Sequence, residues 1–125
     1  MPYKYIEPDG SDILEVKYTG IVTAEDHKGA INEFKTINET KKYFLVLTDL
    51  IEMEIAPSVL NIYDNVNLLE QIEIDKAISE AIILPENKFA AENVRFYENA
   101  CVNRGFNVKT FNERDKALSW LKKQL

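Results

Sequence analysis

Cysteine and histidine are nearly missing from this sequence: each occurs once in 125 residues, as Cys101 and His27. One cysteine cannot close an internal disulfide, so the chain suits a reducing compartment and is expected to be cytoplasmic. One histidine and no paired cysteines leave nothing with zinc-site spacing, and no cofactor is expected. Positive charge is also short. Fifteen Lys and Arg against 21 Asp and Glu give a net charge of −6, which disfavours nucleic acid and anionic membrane surfaces, since both select a basic surplus. A basic protein partner stays compatible with it. No apolar run approaches the ~20 residues of a membrane helix, and no signal-peptide core opens the chain. There is no Gly-rich phosphate loop, dinucleotide fingerprint, internal repeat or linker-like stretch. What is present is globular: 46% apolar and 29% charged residues suffice to build a packed core without staples. The length reads as a single domain spanning 1–125.

The run Tyr43–Leu50 organises the rest. Phe44–Leu47 is continuously apolar, the pattern of a strand buried on both faces. Thr48 and Asp49 are expected at its carboxyl end, the edge at which open α/β sheets usually meet ligands and partners. Upstream, Tyr3–Glu7 and Ile13–Tyr18 flank Pro8-Asp9-Gly10-Ser11-Asp12, which reads as an antiparallel hairpin closed by Gly20. Thr23-Ala24-Glu25-Asp26 resembles a capping box for a first helix with the stripe His27, Ala30, Ile31, Phe34 and Ile37. Ile51–Ala56 alternates apolar residues with Glu52 and Glu54, as a strand extension or an inward-dipping loop. Pro57 suits the first turn of a second helix carrying Val59, Ile62, Tyr63, Val66 and Leu69.

Ala81–Leu84 reads as another buried strand, halted by Pro85. Phe89, Ala90, Val94, Tyr97 and Cys101 mark a third helix, ended by Gly105. Asn107–Phe111 is a last strand. Asn112–Asp115 is expected to cap a fourth helix bearing Ala117, Leu118, Leu121 and Leu125. The order is β-β-α-β-α-β-α-β-α: an α/β fold with a single mixed, mostly parallel sheet of about five strands and four helices.

Gly20-Ile21-Val22-Thr23-Ala24-Glu25-Asp26, Phe96-Tyr97-Glu98, Asn103-Arg104-Gly105, Val108-Lys109-Thr110-Phe111 and Ala117-Leu118-Ser119-Trp120-Leu121 carry a resemblance. Together with the element order, they are similar to the STAS-like, SpoIIAA-like domains, the anti-sigma-factor-antagonist fold, in an uncharacterised branch. The resemblance implies a non-enzymatic regulatory or protein-interaction domain. Regulated members carry Asp-Ser-Ser-Gly at the helix after the central strand, where a kinase-like anti-sigma factor phosphorylates the serine. This chain has Ala56-Pro57-Ser58-Val59 there, so only Ser58 carries across.

The candidate binding or regulatory residues are Asp49, Glu52, Glu54, Ser58 and Tyr63. Ser58 at a helix amino terminus could hold phosphate or merely cap the helix. Asp49 could anchor a ligand or bond loop N–H groups. Glu52 and Glu54 share a face if extended, but a hard cation needs more oxygen ligands than two carboxylates supply. A Ser58–His27–Asp26 hydrolase lacks the Gly-x-Ser-x-Gly elbow, and His27 sits on an apolar stripe, so a packed histidine is expected. Cys101 falls on an apolar face. No catalytic residue is assigned. Tyr63, Phe89, Phe96, Tyr97 and Trp120 suggest an alternative function, an apolar pocket between helices and sheet for a small apolar ligand. The expected partner is a protein, with no nucleic acid or membrane; the oligomeric state stays open, a homodimer among the options.

Overall fold

The computed structural model describes residues 1–124; Leu125, placed on the stripe of the fourth helix, lies outside them. The elements are β1 (Tyr3–Ile6), β2 (Ile13–Ile21), α1 (Ala24–Thr40), β3 (Leu45–Ile55), α2 (Val59–Gln71), β4 (Ser79–Ile83), α3 (Lys88–Asn103), β5 (Asn107–Phe111) and α4 (Arg114–Lys122). The five strands form one sheet in the order β1-β2-β3-β4-β5, with β1 antiparallel to β2 and every later pair parallel. The fold class is the expected one, α/β with a mixed, mostly parallel sheet.

That strand order dictates the layers. Each crossover moves the chain one strand further in the same direction, and right-handed crossovers then put their helices on one face. The crossover helices α1, α2 and α3 accordingly share a core, with Ile31, Phe34, Ile62, Val66, Val94 and Cys101 packed on Leu14, Val16, Val46, Ile82 and Val108. α4 connects no strands and folds back over the opposite face, where Ala117 and Leu121 bury Leu45, Leu47, Ala81 and Ile83. Adjacent strand residues therefore serve opposite layers, as the period of two requires.

Local chemistry sets several boundaries. Thr23 and Asp26 form the expected reciprocal capping box of α1. Gly105 has φ +89, and Gly105 N–H to the Val102 carbonyl with Phe106 N–H to the Cys101 carbonyl makes a Schellman stop for α3.

Other expectations need correction. Phe44 is outside the strand and 41% exposed. β3 does not end near Asp49 but runs on to Ile55, so Asp49 is mid-strand. Pairing with β2 slips twice, with Lys17 opposite Asp49 but Thr19 opposite Glu52, and Gly20 opposite Met53 but Ile21 opposite Ile55. β3 thus carries two bulged residues, which lets Leu50 and Met53, three apart, both enter the three-helix core. Gly20 does not close β2; it lies inside it with φ +68 at the second slip. Pro57 stands outside α2, whose N-cap is Ser58. Glu113 caps α4 without a side-chain hydrogen bond, so Asn112–Asp115 gives no side-chain cap.

Candidate functional site

The five residues singled out from the sequence separate into two places. Asp49 points toward α4 and is buried; its carboxylate accepts the Ile51 N–H at 3.0 Å and sits 3.7 Å from Arg114 Nη1. Arg114 also forms a two-pronged pair with Glu15 on β2. That pairing raises the Arg114 pKa, and it pins α4 to the sheet. Asp49 is therefore an internal tie, not a group on the open edge.

Glu52, Glu54, Ser58 and Tyr63 are exposed around the start of α2. Glu52 pairs with Lys17, and Glu52 and Glu54 border a shallow depression with Glu86 and Asn87. No cluster of three or more potential metal ligands exists among the described residues. Ser58 Oγ accepts the Asn61 N–H at 3.4 Å, the capping role. The Tyr63 ring lies 4.7 Å beneath the Arg104 guanidinium. The same end of the sheet displays Ile21, Ile55, Leu60 and Phe89, the last two 80% and 82% exposed. Ile21 and Ile55 are cross-strand partners, and Asn93 Nδ2 donates to the Pro57 carbonyl at 3.1 Å, tying the first turns of α3 to the loop before α2.

The aromatic residues do not form one crevice. Tyr63 and Phe89 face outward, and Trp120 packs on Phe111 in the α4 layer, ring centres 5.8 Å apart. Only Tyr97 reaches the interior space described next.

Between the sheet and α1, α2 and α3 lie two chambers of about 80 and 60 Å³. Tyr18, His27, Thr48, Glu80 and Tyr97 line both and form a polar waist. The first chamber extends to Asp75 and Ile78 in the α2–β4 loop, the second to Ala56 and Pro57 before α2. Glu80 lies two residues before Ile82 on β4 and so shares its inward face. Thr48 Oγ1 donates to Glu80 Oε2 at 2.6 Å and Tyr97 Oη to Oε1 at 3.2 Å. Burial raises the Glu80 pKa, and these two hydroxyls only partly offset it.

Opposite, the fully buried Asn65 donates from Nδ2 to the Ala24 carbonyl at 3.4 Å and to His27 Nδ1 at 2.9 Å. The Ala24 carbonyl can only accept, so it sets the orientation of the Asn65 amide; on that assignment His27 Nδ1 accepts and the proton of the neutral ring sits on Nε2. Burial lowers the His27 pKa to about 4, so the ring is neutral at pH 7. His27, Glu80 and Tyr97 are only half-buried by surface area although burial dominates their titration. All three line the chambers, where neighbouring protein atoms surround groups that still keep some accessible surface.

A family model described as SpoIIAA-like matches residues 13–122. The chain belongs to the SpoIIAA-like family. A crystal structure of an uncharacterised protein from Shewanella loihica PV-4, itself described as having a SpoIIAA-like fold, matches with a TM-score of 0.63. It is 22% identical, over 95% of this chain and 93% of that one, a likeness that bears on fold alone. No curated protein matches the chain.

In this SpoIIAA-like chain, Ser58 does follow the central strand at the cap of the next helix, the position the serine comparison selected. The interior cluster is what sequence reasoning missed. Glu80 borders the apolar run Ala81–Leu84 and its charge alone predicts exposure, though its spacing from Ile82 places it inward. Asn65, three residues after Ile62, fell on the α2 stripe and was passed over. Cys101, expected in the core, is fully buried, and burial raises its thiol pKa away from nucleophile range.

Proposed function

We propose that this SpoIIAA-like chain is a non-enzymatic interaction module of regulatory character, which docks a protein partner at the carboxyl edge of its sheet. One observation carries the reading: Ile21, Ile55, Leu60 and Phe89 leave β2, β3, α2 and α3 separately yet expose apolar surface at the same edge. Apolar surface gathered in one place favours association. Glu52, Glu54 and Glu86 lie along this edge, and with a net charge of −6 they favour a partner segment with apolar anchors and basic flanks. Ser58, exposed at the α2 cap among these residues, is the candidate modulating group, because added phosphate charge there would meet free N–H groups.

The non-enzymatic part is supported by the fate of the groups that catalysis would need. Ser58 caps α2, His27 is bonded to Asn65, and Cys101 is sealed in the core. No helix among the described residues is long and apolar enough to cross a membrane. The reading places the module in a reducing, cytoplasmic setting.

A photo-crosslinking residue at Leu60 tests the docking surface, with the same residue at exposed Val102, the far end of α3, as control. In cells of origin, position 60 should yield a discrete protein adduct that position 102 does not. Equal adducts from both, or none from position 60, would remove the docking reading.

The two interior chambers favour a second reading, a small-molecule-binding module whose ligand sits beneath α1, α2 and α3.

A further inference from the structure

The chamber waist holds an acid without a cation. Each Glu80 oxygen takes one hydroxyl, from Thr48 or Tyr97, and keeps capacity for another donor. No Lys or Arg among the described residues forms an ion pair with it. The nearest basic side chain on the chamber wall, His27, is neutral at pH 7 because burial lowers its pKa to about 4. Tyr18 and Tyr97 flank the His27 ring edge-on at 6.4 and 5.4 Å between centres, so aromatic surface surrounds the same space. Away from the waist the walls are chiefly apolar, including Val46 and Phe34 in one chamber and Leu50 and Ile62 in the other.

A buried carboxylate is costly unless an opposite charge meets it. The larger chamber, about 80 Å³, has room for about six water-sized bodies at roughly 10–15 Å³ each, the scale of a short amine. The geometry points to the chambers as a binding site for a small primary alkylammonium, its nitrogen against the Glu80 carboxylate at the waist and its methylenes in an apolar arm. Asp75 on the wall of the larger chamber and the net charge of −6 both favour entry of a cation. The inference rests on the small-molecule reading above and gives it a ligand class.

Calorimetric titration of the full chain at pH 7.5 with n-butylammonium chloride, 1-butanol and sodium butyrate tests it. The ammonium should bind at least about tenfold tighter than the alcohol, a difference equivalent to about 1.4 kcal/mol, and butyrate should not bind. Glu80→Gln should lose that preference while keeping the alcohol's affinity. In the wild-type chain the Glu80 carboxyl carbon should shift on titration with the ammonium, a readout that does not depend on the variant folding. Alcohol binding as tight as the ammonium, an unchanged preference in E80Q, or a Glu80 carbon that does not move would overturn the cation site and leave the chambers as an apolar ligand site. If none of the three compounds binds, both readings fall.

Discussion

Lowering the pH from 7 to 4 protonates an interior group whose charged form the fold rejects. A free imidazole takes its proton near pH 6.5, whereas His27 in the folded chain takes it at about 4. The unfolded chain therefore binds the proton first, and stability falls as pH drops below 6.5, levelling off below about pH 4. At about 1.4 kcal/mol for each pH unit of that interval, the full cost is about 3 kcal/mol. Glu80 runs the other way: its folded pKa is raised, so its contribution is present below the ordinary carboxyl value of 4.5 and is lost as pH rises through the folded value. The wild-type slope alone would mix the two. His27→Gln separates them, because a glutamine oxygen can still accept the Asn65 amide but takes no proton. Urea unfolding of both proteins, followed by the single tryptophan, Trp120, should be run at pH 7, 6 and 5. The stability of wild type relative to H27Q should fall by about 1 kcal/mol between pH 6 and 5. A difference that does not change with pH would refute the placement of a neutral, desolvated His27.

Three further outcomes follow from the packing. Leu121→Ala removes the fully buried anchor of α4 and should lower unfolding free energy by about 2–5 kcal/mol in denaturant titration. Gly105→Ala places a side chain at φ +89 where its Cβ meets only Lys76 at an ordinary 3.6 Å, so the backbone alone sets a loss of about 1–2 kcal/mol, visible as a lower thermal midpoint. Arg114→Met strands Asp49 beneath α4 and should cost about 1–3 kcal/mol; adding Asp49→Asn should recover part of it in a double-mutant cycle.

The layers were legible because apolar periodicity follows burial directly: the stripe of α1, the α3 stripe from Ala90 to Cys101 and the runs at Leu45–Leu47 and Ala81–Ile83 lie inside, and only Phe89 at the start of the α3 stripe turns outward. The bulges in β3 were not legible. An extra residue in a strand depends on the register against β2, which is set by partners distant in sequence, and without it Asp49 looked like the end of a strand. The start of α2 misled in a different way. Val59 and Tyr63 fit the helical period, yet both are exposed because only the Ile62, Val66 and Leu69 side meets the sheet. Glu80 escaped notice for a physical reason: charge predicts exposure well, and only the alternation along a strand covered on both faces argues against it.

That exception bears on what the interior is for. Thr48 and Tyr97 could hydrogen-bond a neutral amide as readily as a carboxylate, since a hydroxyl both donates and accepts. Structure alone therefore gives no reason for the acid. Glu80→Gln keeps the shape and removes a group whose charged form the site disfavours. The variant should match wild type near pH 4.5, where the glutamate is protonated, and become more stable than wild type as pH rises. Thermal midpoints of both proteins from pH 4.5 to 8 measure this directly. A gap that fails to widen toward pH 8 would mean the chambers already solvate the carboxylate, and the electrostatic demand for an ammonium would vanish with it. A gap that widens identifies Glu80 as a residue carried at a cost to stability, which is the mark of a group retained for binding rather than for folding.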